Sequence, residues 1–269
     1  MNKKVKKFGL YFGLTLVSVI SVFPFFWMVV AATNKSVDVI GGKLTFGTYL
    51  LENYKTLVSQ QPVWSSFWNS CKYTVAVTVF ALVVSSLAGY GFEIYRSKGK
   101  ERVYAVVLMT MMIPFVALMV PLFRMYSKFG LLNTVLGFML PSLATPLLIM
   151  MFRTNAKAFP GSIIEASRID GLSETGIFFR MYIPSMKSIF AAAGVITFMN
   201  SWNNFLWAKV IMSDSSTQTM PMLISNLTSG YKTDYGMLML AVLITTVPTA
   251  VVFFALQKNF VEGITGSVK

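Results

Sequence analysis

The chain has 269 residues, of which 55% are hydrophobic and only 12% charged, against roughly 25% charged in ordinary soluble domains, with a net charge of +13. So little charge cannot cover a water-facing surface, which argues against a soluble enzyme. A single cysteine, Cys71, and the absence of histidine exclude internal disulfides, His-based triads and cysteine or histidine metal clusters.

Spanning ~30 Å of hydrocarbon takes about 20 helical residues. Six stretches free of Asp, Glu, Lys and Arg are long enough: Phe8–Ala32, Tyr73–Phe92, Val103–Phe123, Leu131–Phe152, Ser188–Ala208 and Tyr235–Gln257. Backbone groups in lipid must find their partners within the segment, so each stretch is predicted to be a helix. The first follows Lys3, Lys4, Lys6 and Lys7; it is too long for a cleaved signal core and reads as an anchor. Most of the 23 lysines and arginines fall on the side of the membrane that holds the N-terminus, in segments 96–102, 153–187 and 258–269, which predicts that both termini are cytoplasmic. The positive charge then matches topology and anionic headgroups, with no need for nucleic acid.

The outer connection 33–72 ends in Trp64, Phe67 and Trp68, read as an aromatic belt. Prolines 114, 121, 141, 146 and 248 lie within the apolar stretches and read as tolerated kinks. Ala88-Gly89-Tyr90-Gly91 resembles a potassium filter only superficially, because it ends a full span on the inner side.

The inner connection 153–187 is too long for a hairpin and is predicted to fold. Pro160 and Ser162 can start a helix that carries Glu165, Ala166, Ser167 and Ile169, and Gly171 can end it. A second helix is predicted from Ser173 to before Pro184, where proline breaks it. The product is a helix–turn–helix suited to docking on a soluble partner. Within span five, Asn200, Ser201, Trp202, Asn203 and Asn204 put polar groups at membrane depth. On a continuous helix Asn200, Asn203 and Asn204 share one face, able to bond the hydroxyls of a solute or to hold neighbouring helices together. Trp202 could offer such a solute an apolar surface.

The 165–184 segment resembles the cytoplasmic signature of ATP-binding-cassette importer permeases, Glu-Ala-Ala-x3-Gly-x9-Ile-x-Leu-Pro. Here it reads Glu165-Ala166-Ser167-x3-Gly171-x9-Met181-x-Ile183-Pro184, with Ser for Ala, Met for Ile and Ile for Leu. Similarity to the carbohydrate branch, the maltose-type second permease, extends to Ala88-Gly89-Tyr90, Pro114, Pro121, Gly130-Leu131-x-Asn133-Thr134, Pro141, Ile169-Asp170-Gly171, Trp202-Asn203-x-Phe205-Leu206-Trp207 and Phe260-Val-x-Gly263. That branch usually has Glu where Asn204 stands.

The resemblance implies an all-α, six-span, single permease domain over 1–269 in a prokaryotic cell membrane, forming half of an alternating-access sugar pathway. Glu165, Ala166, Ser167, Asp170, Gly171, Ile183 and Pro184 would couple it to ATPase subunits. Implied partners are a second, different permease subunit, two ATP-binding cassette subunits, an extracytoplasmic sugar-binding protein and membrane lipid. The phosphate-loop pattern G-x-x-x-x-G-K-[ST] is absent. The chain is therefore expected to bind no cofactor itself, ATP and Mg being used by the partner ATPases.

Overall fold

The computed structural model describes the backbone of residues 3–230 and 233–265, with side chains described at 7–230 and 233–258. Lys3, Lys4, Lys6 and Lys269, counted for topology, and the Phe260–Gly263 similarity therefore lie outside the described side chains. Among the described residues every regular element is helical. In chain order they are α1 (Lys3–Ala32), α2 (Ser36–Ile40), α3 (Leu50–Gln60), α4 (Val63–Ile94), α5 (Lys98–Met109), α6 (Phe115–Lys128), α7 (Val135–Met139), α8 (Pro146–Ala156), α9 (Gly161–Ile169), α10 (Glu174–Ile177), α11 (Ile183–Ser185), α12 (Lys187–Trp202), α13 (Leu206–Ile211), α14 (Met220–Thr228) and α15 (Tyr235–Thr265).

Three of the six apolar stretches are single helices: α1, α4 and α15. The other three are broken, which corrects the expectation of continuous spans. The third bends by 101° between residues 112 and 115 and the fourth by 52° between 142 and 146. The fifth is interrupted at residues 203–205, between α12 and α13, and α12 also leaves the helical segment that precedes the stretch at 83°. Proline accounts for the first two breaks. Pro114 is extended at the N-cap of α6 and Pro146 starts α8, where a missing N–H costs nothing. Counting each bent pair as one span gives up to six.

The chain divides into two compact units. One comprises residues 1–64 and 223–248. Here α1 exposes Phe8, Phe12, Val19 and Phe23 along its length, the surface expected of a helix in contact with lipid. Its end is satisfied by side chains: the amide of Asn53 donates to the carbonyls of Ala32 (2.9 Å) and Asn34 (3.0 Å).

The second unit comprises 65–222 and 249–269. One of its cores joins Tyr90 of α4, Phe152 and Ala156 of α8, Ile164 of α9 and Ile177 of α10 to Phe178 and Tyr182. A second core gathers Tyr73, Tyr126, Phe138, Trp207 and Ile211. The Trp207 indole donates to the carbonyls of Gly137 and Phe138. Helices α4 and α8 touch backbone to backbone at Gly89, where a Cβ would stand 2.6 Å from the Phe152 Cβ and 2.7 Å from the Arg153 nitrogen. The Gly130–Thr134 run also gains a local reason. Gly130 and Asn133 both take positive φ, and Thr134 caps α7 by accepting from the Gly137 N–H at 3.0 Å.

Candidate functional site

Segment 153–187 folds as a helical turn fixed to the second unit by aromatic packing. Pro160 is the N-cap of α9, and the helix buries Ile164 and Ser167 while Glu165, Ala166, Arg168 and Ile169 face outward. Ser167 thus takes the small, buried position where the signature usually has Ala. The helix ends in a Schellman arrangement: the Leu172 N–H donates to the Ser167 carbonyl (3.0 Å) and the Gly171 N–H to that of Arg168 (3.1 Å). This geometry needs a left-handed residue, and Gly171 supplies it at φ 80°. Ser173 then caps α10, accepting from the Gly176 N–H at 3.2 Å.

The turn is closed by charge. Arg168 donates to Glu174 through Nε (2.7 Å) and Nη2 (3.2 Å), and the Tyr95 hydroxyl donates to the same carboxylate. The Arg168 bond first, then that from Tyr95, hold the Glu174 pKa below the usual carboxylate range. Partial burial first, and the bond to Glu174 second, push the Tyr95 phenol up to about 12. The outward surface of the turn remains apolar at Ile169, which is 85% exposed, and at Phe179.

Beyond Ile177 the structure departs from the predicted helix. Phe178–Tyr182 is wound as a π-helix and the chain stays helical through Pro184 to Ser185, so the element breaks at Met186. The wider π turn relieves the clash that the Pro184 ring would otherwise make with the carbonyl four residues back. Pro184 is exposed, whereas Ile183 packs against the Phe178–Tyr182 core.

A buried charge cluster that hydropathy reasoning missed lies beside this segment. Arg153 is 7% exposed. It donates to Glu93 at 3.3 Å and to Glu101, with its guanidinium 4.0 Å over the Tyr104 ring. Glu93 also pairs with Arg96. The sequence offered a signal: Arg153 directly abuts an apolar stretch, and an arginine buried there needs acidic partners.

The polar run of span five does not form one helical face. Helix α12 ends at Trp202 with Asn203 as C-cap, and α13 begins only at Leu206. Trp202 is 1% exposed, stacked on Phe198 and edge-on to Phe67, so its ring belongs to the core. That packing also gives Phe67 a place beyond an aromatic belt. The amide of Asn203 is spent on the Met199 carbonyl (2.9 Å). Asn200, Ser201 and Asn204 instead line a cavity of about 280 Å³ together with Thr197, Ser142 and Thr145. The structure thus brings Asn200 and Asn204 to one cavity and separates Trp202 and Asn203 from it.

Known proteins agree with this architecture. The profile of the family described as "Binding-protein-dependent transport system inner membrane component" matches residues 81–266. The chain is 48% identical over 259 residues to the lactose transport system permease protein LacG of Rhizobium radiobacter, covering 96% of this chain and 95% of that relative. It is 33% identical over 263 residues to the arabinooligosaccharides transport system permease protein AraQ of Halalkalibacterium halodurans, covering 96% and 94%. A crystal structure of a bacterial ABC transporter involved in the import of the acidic polysaccharide alginate contains a chain of the same fold, with a TM-score of 0.81 at 19% identity over 97% of this chain and 99% of that one. By sequence, the chain belongs to the binding-protein-dependent transport system inner membrane components, as a permease subunit of an ABC importer and not as an enzyme.

Proposed function

We propose that this chain is one half of the membrane pathway of a sugar or oligosaccharide importer and that it takes its drive from ATPase subunits through residues 165–184. The observation that carries the coupling role is the turn at Gly171: a rigid, exposed apolar knob, closed by Glu174 and anchored through Phe178 and Tyr182. Glu165, Ala166, Asp170 and Gly171 form the outward surface that meets the ATPase. Ser167, Ile183 and Pro184 set its seat. The sugar assignment draws on the lactose and arabinooligosaccharide transport named for its relatives.

The assembly comprises this single permease domain, a second and different permease chain, two ATP-binding cassette subunits that use ATP and Mg, and an extracytoplasmic sugar-binding protein. The turn and both termini face the cytoplasm, where Arg153, Lys157, Arg168, Arg180 and Lys187 obey the positive-inside bias. The test is purification from native membranes with identification of the accompanying subunits, then reconstitution with labelled lactose. ATP-dependent lactose accumulation that requires the binding protein supports the reading. Absence of a cassette ATPase from the complex overturns it.

A further inference from the structure

The cavity in the second unit lies where two helices are interrupted. Ser142 and Thr145 stand at the break before α8, and Asn200, Ser201 and Asn204 at the end of α12 and the break before α13. Irregular backbone at membrane depth is tolerated where it lines a cavity, and interrupted helices are a recurring way to build transport sites. The two breaks were not selected for polar content, yet the side chains that converge between them are mainly hydroxyls and carboxamides.

Hydrogen-bond accounting separates these side chains into two classes. Thr197 donates to the Ala193 carbonyl at 2.7 Å, and Ser201 meets Thr74 at 3.5 Å. These groups hold the walls. The side chains of Asn200, Ser142 and Thr145 make no hydrogen bond to any described residue, and Asn204 uses only its oxygen, accepting from the Trp207 N–H at 3.2 Å. All four side chains therefore retain both donor and acceptor capacity. The remaining lining, from Val77, Leu147, Leu148 and Ile196, is aliphatic. No charged side chain lines the cavity.

We propose that Asn200, Asn204, Ser142 and Thr145 form a binding site for the hydroxyl groups of an uncharged sugar in transit. Paired donors and acceptors suit vicinal hydroxyls, each of which both gives and receives a hydrogen bond. The aliphatic wall suits the C–H surface of a sugar ring. An ionised substrate such as a uronate or a sugar phosphate finds no counter-charge here, and an unpaired charge in such surroundings is costly. The site selects for neutral sugars by omission of charge, and its groups come from span four as much as from span five. This inference rests on the sugar-import reading above.

The test uses the complete importer in proteoliposomes: both permeases, both ATPases and the binding protein. Lactose carrying a diazirine is photolysed during ATP-driven transport, and the labelled peptides of this chain are mapped. Label within 142–148 and 196–204, displaced by excess lactose but not by a uronate of the same size, supports the site. Asn200→Leu and Thr145→Val should each lower uptake at subsaturating lactose by ~3- to 10-fold, the loss of about one hydrogen bond, and lower the label in the same proportion, with complex yield unchanged. Asn200→Gln and Thr145→Ser should retain most of the uptake. Active uptake with label confined to other segments or to the partner permease overturns the site and leaves the sugar-import reading standing. Loss of complex yield with undiminished labelling per assembled complex assigns these groups to helix packing and likewise overturns it. Failure of the wild-type complex to take up any neutral sugar overturns both readings together.

Discussion

Glu174 accepts two hydrogen bonds from Arg168 across the turn at Gly171, at 2.7 and 3.2 Å. The pair closes the loop between α9 and α10 from outside, while the Schellman bonds close it from within. A third bond to the same carboxylate, from Tyr95, ties the turn to the end of α4. The exposed knob is therefore held by three constraints, two of which share the Glu174 carboxylate.

Gly171→Val should abolish ATP-driven uptake while leaving membrane levels of the protein normal. The space around Gly171 is open, so no side-chain clash arises. The cost is conformational, roughly 1–2 kcal/mol for a side chain held at positive φ and most severe for a β-branched residue. Gly171→Asn, which tolerates that region, should retain partial uptake. Normal uptake by the valine variant would remove the docking role from this turn.

The closed turn should respond to pH at its two ends with opposite signs. Glu174 has its pKa held below the usual value, so its contribution is present above the ordinary carboxylate range and is lost as pH falls through the depressed value. Tyr95 has its pKa raised to about 12, so its contribution is present below the ordinary phenol value of 10.0 and fades as pH rises through about 12. Limited proteolysis between residues 168 and 176 should be slow across the intervening range and faster outside it. Glu174→Gln should flatten the acid limb. An unaltered acid limb in that variant would show that another group controls the turn.

Arg153→Met should lower the thermal stability of the purified protein markedly. The substitution removes the buried partner of Glu93 and leaves its carboxylate only the half-exposed Arg96, so the loss falls below the ~3–5 kcal/mol of a fully broken buried pair. Adding Glu93→Gln should recover part of the loss, because the under-compensated charge is then gone. A melting temperature unchanged in the single variant would mean that water already solvates the cluster.

Gly89→Ala tests the contact between α4 and α8. Its Cβ would meet the Phe152 Cβ at 2.6 Å, the Arg153 nitrogen at 2.7 Å and the Ile149 oxygen at 2.9 Å. Overpacking of this kind costs ~1–3 kcal/mol. Two of the three obstacles are backbone atoms and the third is a Cβ that every residue but glycine carries, so truncating the Phe152 ring cannot relieve the contact; an unchanged melting temperature in Gly89→Ala would show that the two helices part at no cost.

The proposed orientation is checked by labelling in a Cys71→Ser background. Ser215 and Ser173 are both exposed, so accessibility within the protein does not bias the comparison. An impermeant thiol reagent applied from outside should modify Ser215→Cys and miss Ser173→Cys. The reverse pattern would invert the topology.

Local signals made the docking turn legible in the sequence. Pro160, Gly171 and Ser173 each dictate backbone geometry within a few residues of themselves, and each occupies the predicted position. The helix breaks were hidden because hydropathy is blind to direction: a stretch of apolar residues looks the same whether straight or bent by 101°. Pro114 and Pro146 marked two breaks, but proline alone does not distinguish a kink from a stop. The continuation past Pro184 depends on a π turn that no residue type announces. The partners of Arg153 were illegible for another reason, since Glu93 and Glu101 stand 60 and 52 positions away. In the polar run, residue type pointed toward a cavity but could not show which amides the chain uses for itself; only the three-dimensional hydrogen bonds separate Asn203 from Asn200.

The close approach at Gly89 has a mechanical consequence. Helices that mesh through long side chains can slip against one another by repacking, but two backbones in contact leave no slack. Helices α4 and α8 therefore act as one strut. Its α8 part carries Leu147 and Leu148 in the cavity wall near one end and Arg153 near the other, before the chain enters the docking turn. On the proposed coupling role, a push delivered at Gly171 would reach the cavity wall through this strut, and the bends around residues 113, 144 and 186 would be the joints left to accommodate the stroke.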